Sequence, residues 1–191
     1  MGRGILISAT DTGAGKTYVT CLLGRRFRQE GFFARPLKPV ESGCAKDADG
    51  RPLPADAAAL RGAFAPELSM ADICLYPLAS VMSPHLAARE EGVIIDADMI
   101  RKRATGIAAV SDLLLVEGAG GITVELRDGY SFADLARDLS YPVLIVAQNR
   151  LGALNQLKLT VHFLRAERVP FFGVILNDAS PEPFPAREVN V

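Results

Sequence analysis

A glycine-rich segment, Gly13-Ala14-Gly15-Lys16-Thr17, follows the apolar run at residues 5–9 and precedes a stretch with helical periodicity. Glycines allow a tight turn and a close approach of the backbone to a ligand. The N–H groups at a helix start bind phosphate oxygens. In such a loop the lysine contacts the β- and γ-phosphates, and the threonine hydroxyl binds Mg²⁺. Lys16 and Thr17 therefore predict a phosphate loop that binds ATP and Mg²⁺.

The start of this loop differs from the usual phosphate-loop motif. Ala9 stands where a glycine is usual, and the spacing is one residue longer. The alternative interpretation is a glycine-rich helix start with Lys16 as a surface lysine. The strand before the loop and the amphipathic helix after it favour phosphate binding.

Two acidic residues are candidates for the further Mg²⁺ ligands that such a loop needs. Glu117 ends the apolar run at 113–116 and is followed by Gly118-Ala119-Gly120-Gly121, which resembles a Walker B strand with Glu in place of Asp. The glycines after it indicate a ligand close to the backbone. Asp56 is the other candidate. Taken alone, Asp56 is more simply a helix N-cap and Glu117 a strand end that faces solvent.

The elements that would position these residues alternate between strand and helix. The apolar pattern predicts strands at 5–9, 34–40, 113–117, 143–147 and 171–176, and helices at 15–30, 96–110 and 151–166. We interpret 43–56 as an exposed loop, with a short helix opened by Asp56, and 62–95 as irregular. Strands that are apolar throughout are buried on both faces. The sequence therefore predicts an α/β, P-loop NTPase-type three-layer fold with a mostly parallel β-sheet flanked by helices.

Composition excludes several classes of protein. The 191 residues carry 21 basic and 22 acidic side chains, a net charge of −1, and 49% are hydrophobic. This balance argues against nucleic-acid binding and intrinsic disorder, and no apolar run is long enough to cross a membrane. We expect one domain over residues 1–191 in the cytoplasm, with a loosely ordered tail at 179–191. The cysteines are predicted to be reduced thiols, with Cys21 buried on a helix.

Several motifs occur in the order found in the dethiobiotin synthetase family, from Gly4 to about Pro181. They are Thr10-Asp11-Thr12 with Gly15-Lys16-Thr17, Lys38-Pro39-Val40-Glu41-Ser42-Gly43, Asp56-Ala57, Ser83-Pro84-His85, Val116-Glu117-Gly118-Ala119-Gly120-Gly121 and Asn177-Asp178. The chain resembles this family, whose members convert 7,8-diaminononanoate, CO2 and MgATP to dethiobiotin, ADP and phosphate. Family members usually continue through another strand and helix after this region.

The resemblance implies a role for each matched residue. Thr17, Asp56 and Glu117 would hold Mg²⁺. The catalytic residues would be Lys16 and Lys38, on phosphate and carbamate oxygens, and Thr12 and Ser42, which would hydrogen-bond the reacting groups. Asn177 would read the adenine edge. The implied nucleotide-binding residues are Asp11, Thr12, Gly13, Ala14, Gly15, Lys16, Thr17, Tyr18, Glu117, Gly118, Gly120 and Asn177.

The resemblance also implies a substrate site and a homodimer. The substrate-binding residues would be Ser42, Gly120, Gly121, Gly152, Ala153, Leu154 and Asn155. The last four begin a helix that, in the family, comes from the other subunit of the dimer and holds the substrate carboxylate. On their own, Lys38 is more simply a solvated charge at a strand end, and Ser42 is a loop cap.

Other functions are compatible with a phosphate loop. A ParA/MinD-like ATPase switch carries a lysine five positions before the Gly-Lys lysine, where this sequence has Asp11. A cobyrinic-acid-type amide synthetase needs a glutaminase domain, for which 191 residues leave no room. An inactive nucleotide-binding paralogue is the remaining alternative, and activity toward the diamine separates it from a synthetase.

Overall fold

The computed structural model of the protein describes residues 4–178, so the tail predicted at 179–191 lies outside the described residues. The strands are β1 (Gly4–Ala9), β2 (Ala34–Leu37), β3 (Val40–Glu41), β4 (Ala45–Lys46), β5 (Pro52–Leu53), β6 (Tyr76–Pro77), β7 (Leu113–Gly121), β8 (Glu125–Arg127), β9 (Tyr130–Ser131), β10 (Val143–Gln148) and β11 (Phe171–Asn177). The helices are α1 (Lys16–Gln29), α2 (Ala55–Phe64), α3 (Met70–Ile73), α4 (Pro84–Glu90), α5 (Ala97–Ala109), α6 (Phe132–Leu139) and α7 (Ala153–Ala166).

The long strands form one parallel sheet in the order β11-β10-β1-β7-β2. Leu6 of β1 lies opposite Val143 of β10 on one side and Val116 of β7 on the other. Because these strands run in the same direction, their carboxyl ends lie at one edge of the sheet. Ligands of open parallel sheets bind at this edge.

Apolar residues pack on both faces of the sheet. On one face, Leu6 and Val116 belong to a cluster that includes Ile100 of α5. On the other face, Ile7 belongs to a cluster that includes Leu60 of α2. Burial on both faces explains why the strand sequences are apolar throughout. The predicted α/β three-layer architecture with a parallel sheet is therefore confirmed.

Two predicted strands differ from the structure by more than one residue at their ends. β2 ends at Leu37 rather than at residue 40, because the Lys38 N–H donates to the Ile73 carbonyl outside the sheet and Pro39 has no N–H to donate. β7 continues past Glu117 to Gly121. Lys38 therefore leaves the regular pairing of the sheet, whereas the glycines after Glu117 continue the strand, with Gly121 opposite Ala9 of β1.

Three helices lie where the sequence predicts none. α3 falls in the segment interpreted as irregular, and its N-cap Ser69 forms a capping box with Asp72. α4 falls in the segment interpreted as irregular and begins with Pro84, a residue that fits the first turn of a helix. α6 begins with a capping box formed by Ser131 and Asp134. No helix within residues 4–178 combines the length and the apolar character needed to span a membrane.

The prediction that Cys21 is buried is wrong, because its side chain is half-buried. The buried face of α1 contains Val19, Thr20 and Gly24, and Cys21 lies beside that face. Cys44 and Cys74 are buried, and all three cysteines are free thiols.

Candidate active site

Many of the predicted site residues surround one open cavity of about 610 Å³ at the carboxyl edge of the sheet. The loop after β1, the segment after β2, the first turn of α2 and the end of β7 contribute to its walls. The residues that line it are Thr12, Gly13, Gly15, Lys16, Thr17, Lys38, Glu41, Ser42, Asp56, Val81, Met82, Ser83, Pro84, Ala119, Gly120 and Val124.

The loop between β1 and α1 has the backbone that its glycines predict. Gly13 and Gly15 have φ angles of 77° and 90°, a region that favours glycine. Gly15 is the N-cap of α1 and, as a glycine, has no side chain to cap the helix, so the first amides of α1 can bind an anion. Ala9 has no positive φ; its methyl group therefore imposes no backbone strain.

Two side chains hold this loop against the β10 and β11 side of the sheet. Arg150, after β10, pairs with Asp11 at 2.9 Å, and the other oxygen of Asp11 accepts the Thr12 N–H at 2.8 Å. Asn177, at the end of β11, donates from Nδ2 to the Ala14 carbonyl at 3.0 Å. Asn177 thus contacts the loop itself, and its role toward adenine stays a prediction.

Lys38 lies at the centre of a cluster of buried polar groups. Its Nζ is 2.7 Å from Asp56 Oδ2, 2.7 Å from Glu117 Oε1 and 3.2 Å from the Gly118 carbonyl oxygen. The Thr17 hydroxyl donates to the same Glu117 oxygen at 2.7 Å. The side chains of Lys38 and Glu117 are 2% and 0% exposed, whereas that of Asp56 is 41% exposed. The structure therefore brings the three predicted metal ligands together with Lys38.

The charges in this cluster are strongly coupled. Burial alone would lower the pKa of Lys38, but the Glu117 and Asp56 carboxylates hold it above its ordinary value. Burial opposes ionisation of Asp56, but Lys38 and Thr17 bring the pKa of Asp56 below its usual range. The pKa of Lys16 is lowered, first by burial and then by the nearby charge of Lys38. Lys16 and Lys38 therefore lie close to the carboxylates of Asp56 and Glu117.

The donor atoms of this cluster fit a magnesium ion. Glu117 Oε2 is buried and has no hydrogen-bond partner among the residues that the structure describes. A buried carboxylate oxygen without a partner is costly unless a cation or proton binds it. One hydroxyl and two carboxylates, from Thr17, Asp56 and Glu117, are the hard oxygen ligands that Mg²⁺ prefers.

The other predicted residues are divided between the cavity and its surroundings. Thr12, Ser42 and Gly120 line the cavity, and Gly118 and Gly121 lie in β7 beside it. In contrast, Tyr18 is 61% exposed on α1. Gly152, Ala153, Leu154 and Asn155 begin α7 and are not part of the cavity lining within residues 4–178.

The structure adds residues that the sequence prediction missed. Glu41 is 6% exposed and accepts hydrogen bonds from the Asp56 and Ala57 amides at 2.9 and 3.0 Å. Burial raises the pKa of Glu41 in spite of these hydrogen bonds. Val81 and Met82 add apolar surface to the cavity. The position of Glu41 inside the Lys38–Gly43 motif was the available signal for it, whereas nothing in the sequence singles out Val81 or Met82.

Known proteins match almost the whole chain. A family model described as an AAA domain matches residues 3–190. The ATP-dependent dethiobiotin synthetase BioD of Anaeromyxobacter dehalogenans (strain 2CP-C) is 38% identical over 188 residues, which cover 98% of this chain and 82% of that protein. BioD of Anaeromyxobacter sp. (strain Fw109-5) is 40% identical over 190 residues, with 98% and 82% covered. BioD of Halalkalibacterium halodurans is 36% identical over 176 residues, with 92% and 72% covered.

The chain belongs to the dethiobiotin synthetase family. Dethiobiotin synthetases are ATP-dependent ligases, so membership favours an enzyme over an ATPase switch. The resemblance inferred from the motifs is confirmed by these matches.

Solved structures show how widely the dethiobiotin synthetase fold is shared. The kinase domain of the Escherichia coli tyrosine kinase ETK superposes with a TM-score of 0.57 at 15% identity, over 96% of this chain and 71% of that one. The MinC:MinD cell division complex of Aquifex aeolicus superposes with a TM-score of 0.51 at 16% identity, over 93% and 69%. At these identities the likeness concerns the fold alone.

Proposed function

We propose that the protein is a dethiobiotin synthetase that uses ATP to form dethiobiotin, ADP and phosphate from 7,8-diaminononanoate and CO2. The observation that carries this proposal is the cluster of Lys38, Asp56, Glu117 and Thr17 beside the phosphate loop. Such a cluster can balance the charges of a triphosphate and a second anion in one cavity. Relatives that carry this name match nearly the whole chain.

The chemistry proceeds through a carbamate. One amine of the substrate adds to CO2 and loses a proton, which gives the carbamate. A carbamate oxygen attacks the γ-phosphorus, ADP leaves, and a carbamic–phosphoric anhydride forms. The second amine attacks the carbonyl carbon of the anhydride, and ring closure releases phosphate.

Lys16 and Lys38 offset the repulsion between the reacting anions. Two unit charges of like sign 4 Å apart repel by about 4 kcal/mol at an effective dielectric constant near 20. Lys16 begins α1 beside the phosphate loop, and Lys38 lies next to Asp56 and Glu117. Positive charges fixed at these positions stabilise the charge that develops during phosphoryl transfer. Thr17, Asp56 and Glu117 would hold Mg²⁺, which neutralises phosphate charge when bound.

The remaining surfaces of the cavity bind substrate and nucleotide. Val81, Met82, Pro84 and Val124 give the hydrocarbon chain of the substrate an apolar wall. Thr12 and Ser42 hydrogen-bond the reacting groups. Asn177 donates a hydrogen bond from Nδ2 to the Ala14 carbonyl, and its Oδ1 accepts a hydrogen bond from the adenine amino group. These assignments complete the site apart from the substrate carboxylate.

A homodimer supplies the carboxylate site. Gly152 is the N-cap of α7 and has no side chain to cap the helix. The Ala153 N–H donates to the Arg150 carbonyl, so the amides at residues 154 and 155 are the ones that can bind a carboxylate. Leu151 and Leu154 are exposed beside them and become buried when this segment meets the cavity of the second copy.

The three free thiols fit a reducing compartment such as the cytoplasm.

The test is the mass of the product after incubation with 7,8-diaminononanoate, bicarbonate, ATP and Mg²⁺. We expect dethiobiotin, and its formation should require each of the four components. Absence of dethiobiotin while ATP still binds would contradict the proposal and favour an inactive paralogue or a switch. Omission of each component in turn is the control.

A further inference from the structure

Glu41 caps a helix that belongs to a different segment of the chain. Its Oε1 accepts the Asp56 N–H at 2.9 Å, and its Oε2 accepts the Ala57 N–H at 3.0 Å. These amides lie in the first turn of α2, where N–H groups have no acceptor within the helix. The negative charge of Glu41 also faces the positive end of the α2 dipole.

The helix α2 lacks a side-chain cap of its own. Its N-cap is Pro54, which makes no capping hydrogen bond. The chain enters α2 from the hairpin formed by β4 and β5, most of which is exposed. Further along α2, Leu60 and Phe64 are buried in the core. Core packing therefore fixes the body of α2 and the Ala57 side chain in its first turn, and Glu41 binds the amides that open this turn.

Asp56 lies in this first turn and pairs with Lys38 at 2.7 Å. Because the Asp56 side chain is 41% exposed, core packing does not hold its carboxylate in place. Lys38 and Glu41 are three residues apart in one segment, which contacts the start of α2 through both side chains. This segment therefore sets the distance between Asp56 and the rest of the site.

We propose that Glu41 is a positioning residue that holds the first turn of α2 so that Asp56 faces Lys38 and the cation site. The Glu41 carboxylate binds the Asp56 and Ala57 amides, and in this proposal it acts on the cation through Asp56 and not by contact. This inference rests on the magnesium site proposed above.

A titration with Mn²⁺ in the presence of ADP, monitored by electron paramagnetic resonance, tests this inference. The variants are Glu41→Ala, Glu41→Gln, Asp56→Asn and the double variant Glu41→Ala/Asp56→Asn. Loss of a partner that orients a metal ligand costs about 10–100-fold in metal affinity. We expect a loss in this range for Glu41→Ala and a smaller loss for Glu41→Gln, which keeps one acceptor oxygen. In the presence of EDTA, the affinity of these two Glu41 variants for ADP should equal that of the wild type.

The double variant separates positioning from an independent role. If Glu41 acts through Asp56, Glu41→Ala should weaken Mn²⁺ binding no further once Asp56 is Asn. Losses that add would overturn the inference, as would unchanged Mn²⁺ affinity in Glu41→Ala. If Glu41→Ala does not fold, the same cycle is run with Glu41→Gln, with the same outcomes.

The matched control is Asp112→Asn. Asp112 also accepts a backbone amide, that of Phe33, at 2.8 Å, but it lies at the opposite edge of the sheet, just before β7. Mn²⁺ affinity in this variant should equal that of the wild type. If Asp56→Asn itself leaves Mn²⁺ affinity unchanged, the proposed magnesium site is wrong and this inference falls with it. If Asp56→Asn weakens binding and Glu41→Ala does not, this inference alone is wrong.

Discussion

Lys38 is the residue on which the charge balance of the site depends. It is buried between the carboxylates of Asp56 and Glu117, and Glu117 is fully buried. Removing one partner of a buried ion pair leaves an uncompensated charge, which costs more than the pair itself contributes. We therefore expect Lys38 to affect both the stability of the fold and the proposed chemistry of the cavity.

Lys38→Ala should slow dethiobiotin formation by on the order of 10²–10³ if Lys38 stabilises transferred charge. It should also lower the free energy of unfolding by about 3–5 kcal/mol in EDTA, because Glu117 loses its cation. Mg²⁺ with ADP should restore part of that stability. Urea unfolding in the two buffers and a steady-state assay measure these effects.

The control for Lys38→Ala is Lys46→Ala, since Lys46 lies on exposed β4. Wild-type rates in Lys38→Ala would contradict its catalytic role. Equal unfolding curves for Lys38→Ala and wild type in EDTA would contradict its role in charge balance.

The cysteines should differ from ordinary thiols in their reactivity. Burial raises the pKa of Cys44 to about 11 and that of Cys74 to about 12, and it also raises the pKa of Cys21. Only the thiolate reacts, and at pH 8 a pKa near 11 leaves roughly one thiolate in a thousand thiols.

Iodoacetamide at pH 8 should therefore modify the native protein slowly, and Cys21, the least buried thiol, first. The rates for Cys44 and Cys74 should rise as the pH increases toward 11, because the thiolate fraction increases. Mass spectrometry of peptides at several pH values measures this, with urea-unfolded protein as the reference. Modification of native Cys44 as fast as in urea would contradict the prediction.

At the scale of elements, the sequence predicted those parts of the site that depend on local pattern. Lys16 and Thr17 begin α1, and Glu117 follows the apolar run of β7. Such positions follow from periodicity and turn residues. The contact between Lys38 and Glu117 requires β2 and β7 to be neighbours, which no local pattern reveals. The sequence did not predict Glu41 because its partners are backbone amides. Every residue type except proline has such an amide, so the partners leave no signal in the sequence.

The missed helices have the same kind of explanation. The three prolines in 62–95 favoured an irregular interpretation, although Pro84 in fact begins α4. α6 has eight residues, which is too short for a clear helical period.

Gly15 joins the phosphate loop to the end of β11, and this contact can be tested. A Cβ at Gly15 would lie 2.1 Å from Asn177 Nδ2, whereas a Cβ at Gly13 has no heavy atom within 4 Å. Both residues have positive φ, so alanine at either position carries a backbone cost of roughly 1–2 kcal/mol.

Gly15→Ala should therefore lose more ATP affinity and stability than Gly13→Ala, because it also displaces Asn177. Calorimetric titration with ATP and thermal unfolding measure the difference between the two variants. Adding Asn177→Ala to Gly15→Ala should recover part of the lost stability. Equal losses in Gly13→Ala and Gly15→Ala would show that the contact with Asn177 has no effect.

At the scale of the whole molecule, the proposed homodimer predicts that a substitution in its interface lowers the mass of the protein in solution from that of a dimer to that of a monomer. Leu151 is 77% exposed and precedes the start of α7. A charge buried without a partner in an interface is costly, so Leu151→Asp should convert the dimer to a monomer. Light scattering after size exclusion measures the mass.

Val110→Asp is the control for this prediction, because Val110 is also exposed but follows α5. It should leave the dimer intact. A wild-type protein that stays monomeric over the accessible concentration range would contradict the proposed dimer.

The position of β7 between β1 and β2 determines the order in which a nascent chain can complete the nucleotide site. β1 ends at Ala9 and β2 at Leu37, but the strand that pairs with both begins at Leu113. At a synthesis rate of about 5–20 residues per second, the ribosome needs roughly 5–20 s to travel from β1 to β7. During that interval the phosphate loop has left the ribosome without the strand that carries Glu117. The nascent chain can therefore assemble the proposed nucleotide and cation site only after Glu117 has been made.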